Sequence, residues 1–379
     1  MLAAVGQFEV AAGLLIVALT GAAMLATFVL PRGRSVPQVI GATATKGVRV
    51  IVVAIARRMT DYERRDAVLS AIGPLALLVQ LVMFLLLFVL GYTVALLGYA
   101  PAFAAALRQA AASLFSIGLA HATGPGNDVL AVMAAATGAI AIALQIGYLP
   151  AIYQAFNRRE ALVTLMESRA GLPAWGPEVL ARHQLIHTLD ALRQLYRDWE
   201  LWSADLAESH VSYPVLLFFR SPEPYYSWIL ALLAILDAGA MQLALNPSTA
   251  PSEARMCERM GFTALRRIAD TLHLPYDPDP LPEDAITISY EEFTYAVETL
   301  QQVGYEIERE PAEAWPHFVG WRVNYGAVAE EIADRVLAPR APWSGERKQL
   351  PEELERPRRP PHRAPGGKLS DEAKLRPPV

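Results

Sequence analysis

Three long runs almost free of charge lie within the first 150 residues, and they restrict this chain more than anything else in it. Phe8–Leu30 is 23 residues with one ionisable group, Glu9, at its outer margin. Pro74–Gly98 is 25 residues whose only strongly polar side chain is Gln80, and Val129–Leu149 is a third run of 21. At 1.5 Å per residue the first covers roughly 35 Å, enough for a hydrocarbon core about 30 Å thick. Lipid offers backbone amides no water, so runs of this kind must be helices that satisfy their own hydrogen bonds. The expectation is an all-α integral membrane protein with three transmembrane helices and the lipid bilayer as its solvent. Met1–Gln7 carries no Lys or Arg and the first run exceeds a signal core, which predicts a retained span.

The basic residues set the orientation. The connector from Pro31 to Ala67 carries eight (Arg32, Arg34, Lys46, Arg49, Arg57, Arg58, Arg64, Arg65) against three acids, whereas Pro101–Asn127 carries only Arg108. Positive loops stay cytoplasmic. The N-terminus is therefore expected outside, the first connector inside, the short-helix loop outside and everything beyond Tyr153 inside, in the inner or plasma membrane. Within that connector Val48, Ile51, Val52, Ile55 and Met59 share a helical face opposite Lys46, Arg49 and Arg57, which suits a helix at the headgroups. A further crossing at Val36–Ala56 is the competing reading, and it would put Lys46 and Arg49 in mid-membrane.

Between the second and third runs lies an element too short to cross. Ala102–Phe115 would cover about 21 Å as a helix, and its alanines favour that state. Arg108 and Gln109 are expected to face outward or toward the following turn, Ser116-Ile117-Gly118-Leu119-Ala120-His121. A short helix whose C-terminal end points into the membrane aims its negative dipole end there and favours a cation. Backbone carbonyls of the turn can replace an ion's hydration shell. Asn127 and Asp128 then read as caps of the third run.

This order of span, short helix, Ser-Ile-Gly turn and span resembles the two-helix pore module of the potassium channel superfamily, over roughly Pro74–Arg159. The family's filter reads Thr-Val-Gly-Tyr-Gly. Ser116 stands at its threonine, Ile117 at its valine and Gly118 at its first glycine, while Leu119 replaces the tyrosine and Ala120 the second glycine. Gly138 matches the family's gating glycine in the inner helix. The resemblance implies a re-entrant pore helix and an ion pathway along Ser116, Ile117, Gly118, Leu119 and Ala120. It also implies a hinge at Gly138, monovalent cations as cargo and a homo-oligomer, a tetramer by analogy. It implies no enzyme and no cofactor. The alternative is a non-conducting membrane-anchored sensor or scaffold. Ala102–Phe115 would then lie on the outer surface, and the helical domain would bind a partner.

The organisation that follows is a first transmembrane helix at 1–30, a basic connector at 31–67 and the channel-like module at 68–157. A cytoplasmic helical bundle at 158–337 and a disordered tail at 338–379 complete it. In the bundle, Leu185, Leu189, Leu192, Tyr196 and Trp199 form a seam on a long helix starting near Pro177. Met256, Met260, Ile268 and Leu272 mark another helix. Phe293, Val297 and Leu300 mark a third, entered through a Ser289/Glu292 capping box, and Val328, Ile332 and Val336 mark a fourth. Tyr226–Leu245 is apolar and long enough to span, but Asp237 lies at its middle. It is either a buried central helix or a further crossing that inverts everything after Asn246.

The remaining features mainly exclude. A net charge of −5 gives no footprint for nucleic acid, and a single cysteine, Cys257, allows no intrachain disulfide. His183, His187 and Asp190 would share a helix face with zinc spacing. Gln184 stands where a zincin needs glutamate, however, and no metal site is expected. The proline- and arginine-rich residues from Ala338 onward lack the apolar side chains that ordering requires.

Overall fold

The computed structural model describes residues 2–29, 39–100, 102–117 and 124–345. Among them every regular element is helical and none is a strand. Five helices are long and apolar enough to cross a bilayer: Gln7–Phe28, Val39–Ala56, Tyr62–Leu96, Pro125–Ala170 and Trp228–Leu245. The chain therefore reads as a membrane protein. It divides into two units, Met1–Arg158 with Glu208–Pro224, and Arg159–Ala207 with Tyr225–Val379.

The first unit is built on a central rod. Helices α1 (Leu2–Phe28), α2 (Val39–Ala56), α3 (Tyr62–Leu69), α4 (Ile72–Leu96) and α5 (Phe103–Leu114) precede the 46-residue α6 (Pro125–Ala170). Helices α1, α2 and α5 all pack on α4. Close approach of α1 to α4 is licensed by two glycines. A Cβ on Gly13 would overlap the Ala95 backbone, and one on Gly91 would lie 2.8 Å from Val17. Small residues at helix contacts are the usual means of tight packing in lipid. Further along, Phe28 meets Phe84 with ring centroids 5.6 Å apart.

Helix α2 takes up where α1 ends. Gly41 faces Gln80, and the buried stripe is Ala44, Val48, Val52 and Ala56. The face expected at the headgroups is thus split: Val48 and Val52 are buried, while Ile51 and Ile55 are exposed. The stripe repeats every four residues, which keeps it on one side of the helix. Asp61 then caps α3, accepting the Arg64 amide at 3.3 Å. Asp66 of α3 is held by Arg220, whose Nε donates to it at 2.8 Å.

The second unit surrounds one helix. Around α9 (Trp228–Leu245) pack α7 (Gly176–Leu185), α10 (Ser252–Leu272), α12 (Pro311–Arg322) and α13 (Gly326–Arg335). Helix α8 (Leu192–Ser212) leads back to the first unit, and α11 (Tyr290–Gln302) packs on α7 and α12. All 18 residues of α9 are buried. The capping box forms as read: Ser289 accepts the Glu292 amide at 3.2 Å, and Glu292 accepts that of Ser289 at 2.8 Å.

Two expectations are corrected here. The long helix from Pro177 is two helices, because His187 adopts a left-handed φ of 55°. Its amide bonds to the Gln184 carbonyl, that of Thr188 bonds to His183, and the pair closes α7 in a Schellman cap. The expected tail also begins too early. Ala338, Ala341, Trp343 and Ser344 are buried, and the Trp343 carbonyl accepts from Arg322 at 2.7 Å. Residues 346–379 lie outside the described residues.

Candidate functional site

The middles of the first and third apolar runs lie beside Gly91 and Tyr92, in the C-terminal third of the second. Val17, central in the first, touches Gly91 of α4. The next residue, Tyr92, hydrogen-bonds Thr137 of α6 at 2.8 Å. Toward the N-terminal end of α6, a Cβ on Gly126 would press on the Tyr99 ring. Toward the other end, Ile152 shares a cluster with Ala76 and Leu77. Helix α6 therefore runs antiparallel to α4 with its apolar stretch beside that of α4.

Helix α5 descends between these two. Its buried face is Ala106, Gln109, Ala110, Ala112 and Leu114, and Ala106, Ala110 and Leu114 join the same core cluster as Phe88, Tyr92 and Ala134. At its middle Gln109 donates to the Asn127 side chain, which returns the bond at 3.5 Å. Near its end the Leu114 carbonyl abuts Gly138, where any Cβ would overlap it. Gly138 is 13 residues into α6, so this end lies about 20 Å along the axis from Pro125. That depth is the middle of Val129–Leu149.

Gln109 was expected to face outward or toward the turn, and Asn127 to cap α6. Both are buried and serve each other instead. An amide buried among apolar helices needs a partner, and a second amide can both donate and accept. Tyr92–Thr137 and Gln109–Asn127 are therefore the polar ties that hold α4, α5 and α6. The sequence did not single them out: Gln109 and Asn127 lie outside the three apolar runs, and Gln80, the strongly polar residue of Pro74–Gly98, is in neither tie.

After Leu114 the chain turns. Ser116 has a φ of 53°, its amide bonds to the Ser113 carbonyl at 3.0 Å, and the Ile117 amide bonds to Ala112 at 2.9 Å. This is a second Schellman cap, with serine in the left-handed position that usually takes glycine. Phe115, Ser116 and Ile117 are exposed. Gly118, Leu119 and Ala120, the remainder of the expected ion pathway, lie outside the described residues, as does His121.

The histidine constellation does not assemble. Helix α7 stops at Leu185, so His187 lies beyond it, and His183 Nδ1 faces the Val179 carbonyl at 2.7 Å. Among the described residues no group of His, Cys, Asp and Glu is placed to hold a metal. Asp237 lies in a buried network of the second unit. It accepts from Arg322 and, at 2.9 Å, from the Tyr325 hydroxyl, while Arg322 also donates to Glu330 at 3.2 Å. No family model, curated protein or solved structure matches the chain.

Proposed function

We propose that the chain is an ion-channel-like membrane protein that passes monovalent cations through an oligomeric pore, with the second unit as a cytoplasmic regulatory domain. The observation that carries this reading is the descent of α5 to mid-span, its C-terminal end against Gly138. A helix lying on the outer surface would not reach that depth. The dipole of α5 directs partial negative charge to the centre of the apolar layer, where a cation costs most. Irregular backbone at that depth is tolerated where it lines water or is covered by protein. One such loop cannot enclose a path alone, so several copies, four by analogy, surround it.

In this reading α1, α4 and α6 cross and α5 re-enters. Helix α2 stays inside: successive crossings reverse direction, yet α1 and α2 both run toward the N-terminal end of α4, α1 from Ala95 to Phe84 and α2 from Gln80 to α3, on which it also packs. Helix α9 has protein on every side and no face left for lipid. The basic residues Arg57, Arg58 and Arg64 gather at the end of the first unit where α2 meets α3, and Arg108 lies toward the other. That polarity supports the reading in which the N-terminus is outside and the second unit cytoplasmic.

Reconstitution of the purified protein in liposomes tests this. Cation flux that Gly118→Asp abolishes is the expected result, with a crosslinked tetramer. Absence of flux from a monomeric protein would leave a membrane-anchored scaffold.

A further inference from the structure

Glu258, on α10, is a buried carboxyl of the second unit that the proposed cation path does not use. It is 1 % exposed, and neither of its oxygens has a hydrogen-bond partner. It presses on α9 where that helix has no side chain: a Cβ on Gly239 would lie 2.8 Å from Oε1. The groups facing this region come from every element packed there. Asp237 lies on α9, Arg322 on α12, Tyr325 just before α13 and Glu330 on α13. Tyr196 and Glu200 belong to α8, and the buried Cys257 is the neighbour on α10 itself.

The one guanidinium in this set is already committed. Arg322 serves Asp237, Glu330 and the Trp343 carbonyl. The Tyr325 hydroxyl goes to Asp237, and that of Tyr196 to Gln242 at 2.9 Å. A third carboxylate charge here would have no counter-ion, and an uncompensated buried charge neutralises rather than persists.

We propose that Glu258 is a proton-operated latch: as a neutral acid it lets α10 seat on α9 at Gly239, and loss of its proton to solvent at alkaline pH drives the two helices apart. Burial first and the Asp237 charge second push its carboxyl well above the ordinary carboxylate range, against the weaker pull of Arg322. The folded state thus keeps a proton that the unfolded chain releases. Its stability falls as pH rises from the usual carboxylate range through the folded value. The latch does not depend on conduction.

The test uses the full chain in detergent micelles. At neutral pH its infrared spectrum should carry the carbonyl band of a protonated carboxylic acid, lost in Glu258→Gln and retained in Asp237→Asn. On alkaline titration, amide exchange in α10 should rise about tenfold per pH unit beyond the base-catalysed rate, as release of one proton requires. In Glu258→Gln that extra rise should vanish. An infrared spectrum of the unmodified protein without the band overturns the proposal even where the variant fails to fold. A band that survives Glu258→Gln, or equal exchange in both proteins, overturns it too.

Discussion

Gly138 was legible in the sequence as a glycine midway along an apolar helix, and the resemblance to potassium channels gave it a hinge role. What it touches was not legible, because its neighbour is the main-chain carbonyl of Leu114, and a carbonyl leaves no mark on residue identity. The contact makes Gly138 the seat of α5 whatever bending α6 allows. Alanine there must displace backbone, and overpacking of this kind typically costs about 1–3 kcal/mol. Gly138→Ala is therefore expected to lower the melting temperature. It should also increase the reaction of an Ile117→Cys probe with a membrane-impermeant maleimide. Gly147→Ala is the control: nothing lies within 4 Å of a Cβ on Gly147, so both readouts should stay put. Ser116 teaches a similar lesson. A serine in the left-handed position of a helix cap is uncommon, and nothing in Ser-Ile-Gly points to the first residue rather than the glycine.

At the scale of the element, α9 is the helix whose environment the sequence left open. An apolar helix with no polar stripe is suited to a bilayer or to the centre of a large domain. The deciding fact is the partnership of Asp237 with Arg322 and Tyr325, 85 and 88 positions away. Such long-range pairing is invisible to periodicity. Removing one partner of a buried pair leaves an uncompensated charge and costs about 3–5 kcal/mol. Arg322→Met should thus destabilise the second unit severely in urea titrations followed by tryptophan fluorescence. The double variant Asp237→Leu/Arg322→Met should recover most of the loss; no recovery would mean that Arg322 acts through Glu330 and Trp343 instead. The capping box at Ser289 was readable because both of its bonds are local. The break between α7 and α8 was not, since His187 takes a left-handed conformation with neither glycine nor proline to announce it. Helix α12, with Pro316 in its interior, shows no apolar periodicity that would mark it in the sequence.

For the whole molecule, the apolar runs and the basic connector were plain in the composition, whereas their depth relative to one another was not. Depth comes from contacts such as Val17 with Gly91 and Tyr92 with Thr137, which set the middles of the first and third runs beside the C-terminal third of the second. That alignment determines the number of crossings. If α1, α4 and α6 share a slab about 30 Å thick, α2 begins at its inner edge beside Gln80 and leaves it. A reporter placed after Ala122 should then be outside, and reporters after Asn157 and Asn246 should both be inside. A crossing by α9 would move the Asn246 reporter outside while leaving that after Asn157 inside. It would also ask Asp237 to enter lipid away from Arg322. A crossing by α2 would make α1 and α2 run in opposite directions, against their common direction along α4. A reporter after Met59 distinguishes that case: inside with three crossings, outside if α2 spans.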